Sequence, residues 1–137
     1  METMLKLWLE QNPDLDYMQG LDSLTAPFIV LYPDDEASSY ACFSEVISRY
    51  LHSYCIKDNP DYLRGQLLAF RNLLNFHDVE LGNHFEAQNY GPDFYAIPWI
   101  LTLYAHVFPI DKLFLLWDEL FLMDSSFILY IGIAILL

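Results

Sequence analysis

The sequence predicts an all-α domain, and three observations carry that prediction. Apolar residues recur at spacings of three and four along most of the chain, Pro- and Asn-centred breaks cut it into helix-sized pieces, and no segment alternates apolar with polar as a half-buried strand would. No period of roughly twenty to fifty residues repeats, which sets the chain apart from a helical solenoid. With 137 residues, 55% of them hydrophobic and 17% aromatic, it has ample material for a single core.

Residues 2–11 form a short helix in this reading, with Met4, Leu5, Trp8 and Leu9 on one stripe. Asn12-Pro13-Asp14 follows as a turn, because Asn and Asp side chains bond nearby backbone and proline fixes φ. Gly20 then frees the backbone ahead of Leu21, Leu24, Ala26, Phe28 and Ile29, the apolar positions of a helix over residues 21–31. That helix ends near Tyr32-Pro33, and Asp34, Asp35 and Glu36 put acids at the positive end of the next, which runs to about Cys55. Its apolar positions are Tyr40, Phe43, Val46, Ile47, Tyr50 and Leu51. Asn59-Pro60 restarts the chain for an amphipathic helix carrying Tyr62, Leu63, Leu67, Phe70, Leu73 and Leu74.

Residues 77–89 are more polar and fit a short surface helix anchored by Val79, Leu81 and Phe85, which Gly91-Pro92 ends. From Phe94 to Phe108 the sequence is apolar almost all round, the mark of a helix at the centre of a domain, with Pro98 at its start. Pro109 separates it from a helix whose Ile110, Leu113, Phe114, Trp117, Leu120 and Phe121 form one stripe. Asp124-Ser125-Ser126 supplies a cap for a final helix from Phe127.

Charge removes several function classes. The net charge of −13, from 19 acidic against 6 basic residues, argues against nucleic acid, whose phosphates call for clustered Lys and Arg, and against anionic membrane surfaces. The segment Met4 to Glu10 is too short and interrupted for a signal peptide. Pro98, His106 and Pro109 break one apolar stretch and the other stops at Leu137, so no direct membrane insertion is expected. Cys42 and Cys55 fall in helix-like sequence of a chain too large to need a staple, which predicts packed, reduced thiols of the cytosol. His52, His77, His84 and His106 include no pair at i, i+4, and Asp14, Asp16 and Asp34 to Glu36 lack the ligand alternation of a calcium loop, so no metal site is expected. No nucleophile-elbow, phosphate-loop or dinucleotide motif occurs, so the sequence does not support an enzyme with its own substrate pocket, and no cofactor is expected.

One stretch promises chemistry. Tyr17-Met18-Gln19-Gly20-Leu21-Asp22 lies where loop passes into helix, so Gln19 is expected to be held by a rigid element while its amide reaches outward. That placement suits a side chain that must position a water or a phosphate oxygen. This stretch with Ala26-Pro27-Phe28, and the later block from Pro98-Trp99-Ile100-Leu101-Thr102-Leu103 through Leu116-Trp117-Asp118-Glu119, resembles the TBC domain, the helical GTPase-activating module for Rab-type small GTPases. Gln19 to Leu24 and Tyr95-Ala96-Ile97-Pro98-Trp99 are most similar to the TBC segment of the TBC-domain-containing protein-kinase-like proteins, and the likeness runs from about Trp8 to Leu137.

The resemblance implies an irregular multi-helix fold and a dual-finger mechanism, in which an arginine and a glutamine of the activator both enter the active site of a GTP-bound Rab. Gln19 matches the glutamine and would orient the attacking water; GTP and magnesium would belong to the partner. Tyr17 is expected to be a packed aromatic with its hydroxyl satisfied, Gly20 the hinge, and Asp22 a hydrogen-bonding support of the loop. The chain departs from the family in one respect: none of residues 1–16 is arginine, and Arg49, Arg64 and Arg71 all follow the glutamine. It therefore looks like a partial TBC domain over residues 1–137, incomplete at both ends, with Ile131, Ile135 and Leu136 exposed and open to self-association. Two functions remain: a cytoplasmic Rab activator of vesicle trafficking, recruited to endomembranes through its GTPase, or a Rab-binding scaffold with little catalysis.

Overall fold

The computed structural model describes residues 2–137, and its regular elements are helices, with one isolated antiparallel bridge between Leu15 and Ile56. They are α1 (Glu2–Gln11), α2 (Leu21–Leu31), α3 (Glu36–Val46), α4 (His52–Cys55), α5 (Pro60–His77), α6 (Val79–Ala87), α7 (Ala96–Leu101), α8 (Ile110–Leu120) and α9 (Phe127–Leu136).

Two aromatic clusters organise them. In the first, Trp8 of α1 meets Phe43 of α3 edge-on at 6.3 Å, Phe43 meets Phe28 of α2 at 6.2 Å, and Phe28 stacks on Trp117 of α8 at 5.3 Å. Such edge-on and stacked pairs add to the burial of large apolar area, and all four side chains are essentially removed from solvent. In the second, Tyr95 sits between Phe70 of α5, Phe85 of α6 and Trp99 of α7, with ring centroids 5.4 to 5.9 Å apart. Helix α9 closes this half from below. A Cβ on Gly132 would stand 2.5 Å from Phe70 Cε2, so only glycine lets α9 come this close.

Helix boundaries follow local chemistry. The Asp35 carboxylate caps α3 by accepting the Ser38 N–H at 3.0 Å and the Ser38 hydroxyl at 2.6 Å, which holds its pKa below the usual range. Asp78 caps α6 in the same way, accepting the Leu81 N–H at 2.9 Å. Pro60 opens α5 at a position where its missing N–H costs nothing.

Several expectations are corrected. The helix expected to reach Cys55 is interrupted by a π-helical turn over Ile47–Leu51, where the Tyr50 hydroxyl lies 3.2 Å from both the Leu120 and the Met123 carbonyls at the end of α8. The run Phe94 to Phe108 is not one helix. A 3₁₀ turn over Pro92–Phe94 leads into α7, which begins at Ala96 with Pro98 inside its first turn, and helical backbone ends at Leu101. The Asp124-Ser125-Ser126 segment starts α9 through backbone bonds, such as Leu129 N–H to the Ser126 carbonyl at 3.0 Å, without a side-chain cap. Val79 is exposed, so Leu81 and Phe85 carry the packing of α6. Of the thiols, both free, Cys55 is buried but Cys42 only half so. Of the residues expected to be exposed at the end of α9, Ile131 is buried in the core and Leu136 half-buried against it, while Ile135 is exposed.

Candidate functional site

The loop that carries Gln19 is anchored at both ends. At its start, Asn12 donates its side-chain amide to the Trp8 carbonyl at 2.8 Å, and the Leu15 N–H returns to the Asn12 carbonyl at 3.0 Å, which is the turn expected from Asn12-Pro13-Asp14. The next residues are zipped to the segment after α4. Asp16 donates its N–H to the Cys55 carbonyl at 2.7 Å, Leu15 pairs with Ile56, and Lys57 donates its ammonium to the Pro13 carbonyl at 2.6 Å, 3.9 Å from the Asp16 carboxylate.

At its far end the Leu21 N–H bonds the Met18 carbonyl at 3.1 Å, closing a tight turn with Gln19 and Gly20 at its tip. Gly20 has φ +107°, a conformation that side-chain-bearing residues rarely adopt, and its carbonyl accepts the Leu24 N–H to begin α2. The turn also has no room for a side chain there: a Cβ on Gly20 would lie 2.8 Å from the Thr102 Cγ2 methyl. The two sequence blocks that share no helix therefore meet at this contact.

Between them lies a cleft of about 660 Å³. Tyr17, Gln19, Gly20 and Asp22 form one wall; Pro98, Leu101, Thr102 and His106 form the other, with Leu63 of α5 across the end. Gln19 is exposed and its amide makes no hydrogen bond to the described residues, leaving its N–H₂ donors and carbonyl acceptor free to turn toward a bound partner. Tyr17 departs from expectation: it is 46% exposed, and its hydroxyl has no partner among the described residues. Asp22 also differs, for its exposed carboxylate bonds nothing among the described residues; its backbone carbonyl instead accepts the Thr25 hydroxyl at 2.6 Å, inside the first turn of α2.

The second wall was not assigned a role from sequence, and it is unusual. After α7 the chain reverses through two consecutive residues with positive φ, Leu103 at +47° and Tyr104 at +67°, both fully buried. Neighbours hold them there. The Tyr104 N–H bonds the Trp99 carbonyl at 2.8 Å, Trp117 donates its indole N–H to the Leu103 carbonyl at 2.8 Å, and the Tyr104 hydroxyl donates to the Ile128 carbonyl at 2.7 Å. Burial pushes the Tyr104 phenol well above its ordinary pKa, so it stays a donor. Thr102 is oriented by the same turn: its hydroxyl donates to the Pro98 carbonyl at 2.7 Å and accepts the His106 N–H at 3.3 Å.

No arginine lines the cleft. Arg49 lies 5.3 Å over the Tyr50 ring, Arg64 pairs with Asp61 at 3.3 Å, and Arg71 pairs with Glu86 at 2.7 Å, which lowers the Glu86 pKa. Among the described residues no three His, Cys, Asp or Glu side chains gather to hold a metal, and no helix is long and apolar enough to cross a membrane.

The family model described as the Rab-GTPase-TBC domain matches residues 1–137. The chain belongs to that family. The TBC domain-containing protein kinase-like protein of Homo sapiens is 50% identical over 133 residues, covering 97% of this chain and 15% of the relative. The protein of the same name from Dictyostelium discoideum is 37% identical over 124 residues, covering 90% of this chain and 12% of the relative. Human TBC1 domain family member 13 is 24% identical over 137 residues, covering 92% of this chain and 34% of that protein. The chain thus spans about 15% of the length of the most similar of these relatives. For a Rab-GTPase-TBC segment, an unbonded glutamine amide on a doubly anchored turn offers a donor and an acceptor from a defined backbone position, so only the side chain's rotamer freedom is left to lose when it engages.

Proposed function

We propose that this Rab-GTPase-TBC segment promotes GTP hydrolysis by a Rab-type small GTPase, with Gln19 entering the partner's active site to orient the attacking water. The observation that supports the reading is the pairing of an exposed, unbonded Gln19 amide with a turn held by the Leu15–Ile56 bridge on one side and the Gly20–Thr102 contact on the other. Phosphoryl transfer asks a protein mainly for placement and charge stabilisation, and an amide carried on a fixed turn supplies placement. GTP and magnesium belong to the partner, and the segment acts as a regulator rather than through a substrate pocket of its own. It works in the cytoplasm and reaches endomembranes through the GTPase. The net charge of −13 favours encounter with a basic face, so association slows as salt rises.

A second reading, a Rab-binding module with little catalysis, is favoured by the cleft's lack of arginine. An arginine supplied to a GTPase is worth on the order of 10³–10⁵ in rate, and positioned water alone leaves most of that unrealised. Single-turnover hydrolysis across a Rab panel, with binding measured in parallel, separates the two. The activator reading expects Gln19→Ala to lower hydrolysis while leaving affinity for the GTP form nearly unchanged, because the amide acts in the transition state. Equal rates for both forms, with binding intact, favour the binding module.

A further inference from the structure

We propose that Thr102 is the positioning residue for Gln19: its methyl is the seat against which the Gly20 turn is pressed, and the left-handed Leu103–Tyr104 turn exists to hold that methyl in place. The inference rests on the reading of Gln19 given above and adds a residue, and a reason for an unusual backbone, that the reading does not contain.

Thr102 is 3% exposed, yet it lies at the inner wall of the cleft and its Cγ2 faces Gly20, which holds φ +107°. Its hydroxyl is engaged twice, toward the Pro98 carbonyl and from the His106 N–H, which leaves the methyl one orientation. Two consecutive non-glycine residues with positive φ are strained, and they persist only where their surroundings over-determine them. Here the Trp117 indole, the Tyr104 hydroxyl and the Trp99 carbonyl do so. A helix continuing past Leu101 would keep the bond from the Thr102 hydroxyl to the Pro98 carbonyl but would take the His106 N–H away from that hydroxyl to the Thr102 carbonyl. The strained reversal therefore has a local product: it brings the His106 N–H to the Thr102 hydroxyl, whose two bonds orient a methyl behind the turn that presents Gln19.

Paired substitutions divide positioning from stability. Thr102→Ser keeps the hydroxyl and its two bonds but deletes the methyl; Thr102→Val keeps a methyl at the Gly20 contact and deletes the hydroxyl. Two quantities are read on the full chain: the melting temperature, and the order of the Gln19 backbone and side-chain amides by ¹⁵N relaxation. The positioning role predicts a crossed result, in which Ser melts near the parent but loosens Gln19, and Val melts lower but leaves Gln19 ordered. Single-turnover hydrolysis by a responsive Rab should then fall several-fold for Ser at saturation, with the half-saturating concentration little changed, and Val should lie nearer the parent. Gln19 order that follows melting temperature in both variants, or that is unchanged in Ser, overturns the proposal. The relaxation result stands whether or not Gln19→Ala alters hydrolysis, so failure of the activator reading and failure of the Thr102 proposal are seen separately.

Discussion

Two of the left-handed stretches in this chain, Gly20 in one wall of the cleft and Leu103–Tyr104 buried behind the other, hold that backbone by opposite means. At Gly20 the residue type absorbs the conformation: with no Cβ, φ +107° carries little strain, and the turn needs only the Leu21-to-Met18 bond to close. At Leu103 and Tyr104 the residue types oppose the conformation, and tertiary contacts from α7, α8 and α9 impose it. In the first wall the left-handed residue needs no tertiary restraint, although the loop before it is tied to the segment after α4. The second is a product of the assembled core, so the geometry behind Gln19 reports on the packing of three helices distant in sequence.

The contrast can be broken most sharply from the glycine side. Gly20→Ala meets both the backbone penalty and the 2.8 Å approach of the Thr102 methyl, and should destabilise the chain by about 3 kcal/mol or more, read by denaturant unfolding. Adding Thr102→Ser should recover the steric part and leave the φ part; full recovery would mean that φ was never the cost. On the other wall, Trp117→Phe deletes the donor to the buried Leu103 carbonyl and should cost about 2 kcal/mol, with the loss appearing also as weaker amide-exchange protection at residues 102–104. Tyr104→Phe removes only the bond to the Ile128 carbonyl and should cost about 1 kcal/mol. A Tyr104→Phe loss larger than that of Trp117→Phe would reverse the ranking of the two restraints.

The smallest effect near neutrality is that of pH. Burial raises Cys55 to about 11 and Tyr95 to about 12, and holds Tyr104 protonated further still. Because these acids ionise more easily when unfolded, the folded state holds more protons from about pH 8, where an unfolded thiol begins to ionise, and stability falls as pH rises from there through the folded values. Below about pH 7 they contribute no slope. A phenolate absorbance step that precedes unfolding in the parent and is lost in Tyr104→Phe would show that the Tyr104 wall opens locally.

Glycine and proline made one wall readable from sequence and the side chains of the other kept it hidden. The Asn12-Pro13-Asp14 turn, the hinge at Gly20 and helix α2 follow from residue-level chemistry, as does the Asp35 end of α3. The reversal after Leu101 does not, because Leu103 and Tyr104 are sound helix formers whose donors and acceptors are chosen by Trp117 and Ile128, contacts no local pattern reports. Gln19 lies exposed just ahead of α2, the loop-to-helix junction its neighbours Asn12-Pro13 and Gly20 predict. The support expected from Tyr17 and Asp22 instead comes from Thr102, which sits within the second family block but carries no polar signature of a functional residue.

The central claim is that Gln19 acts on the transition state of a bound GTPase, and a transition-state mimic tests it most directly. The chain and its Gln19→Ala form are titrated against a Rab loaded with GDP and aluminium fluoride, and separately against the same Rab with a non-hydrolysable GTP analogue. The account predicts that both forms bind the GTP-analogue state alike, while Gln19→Ala loses most of its affinity for the aluminium fluoride state. Equal binding of both forms to both states would contradict it.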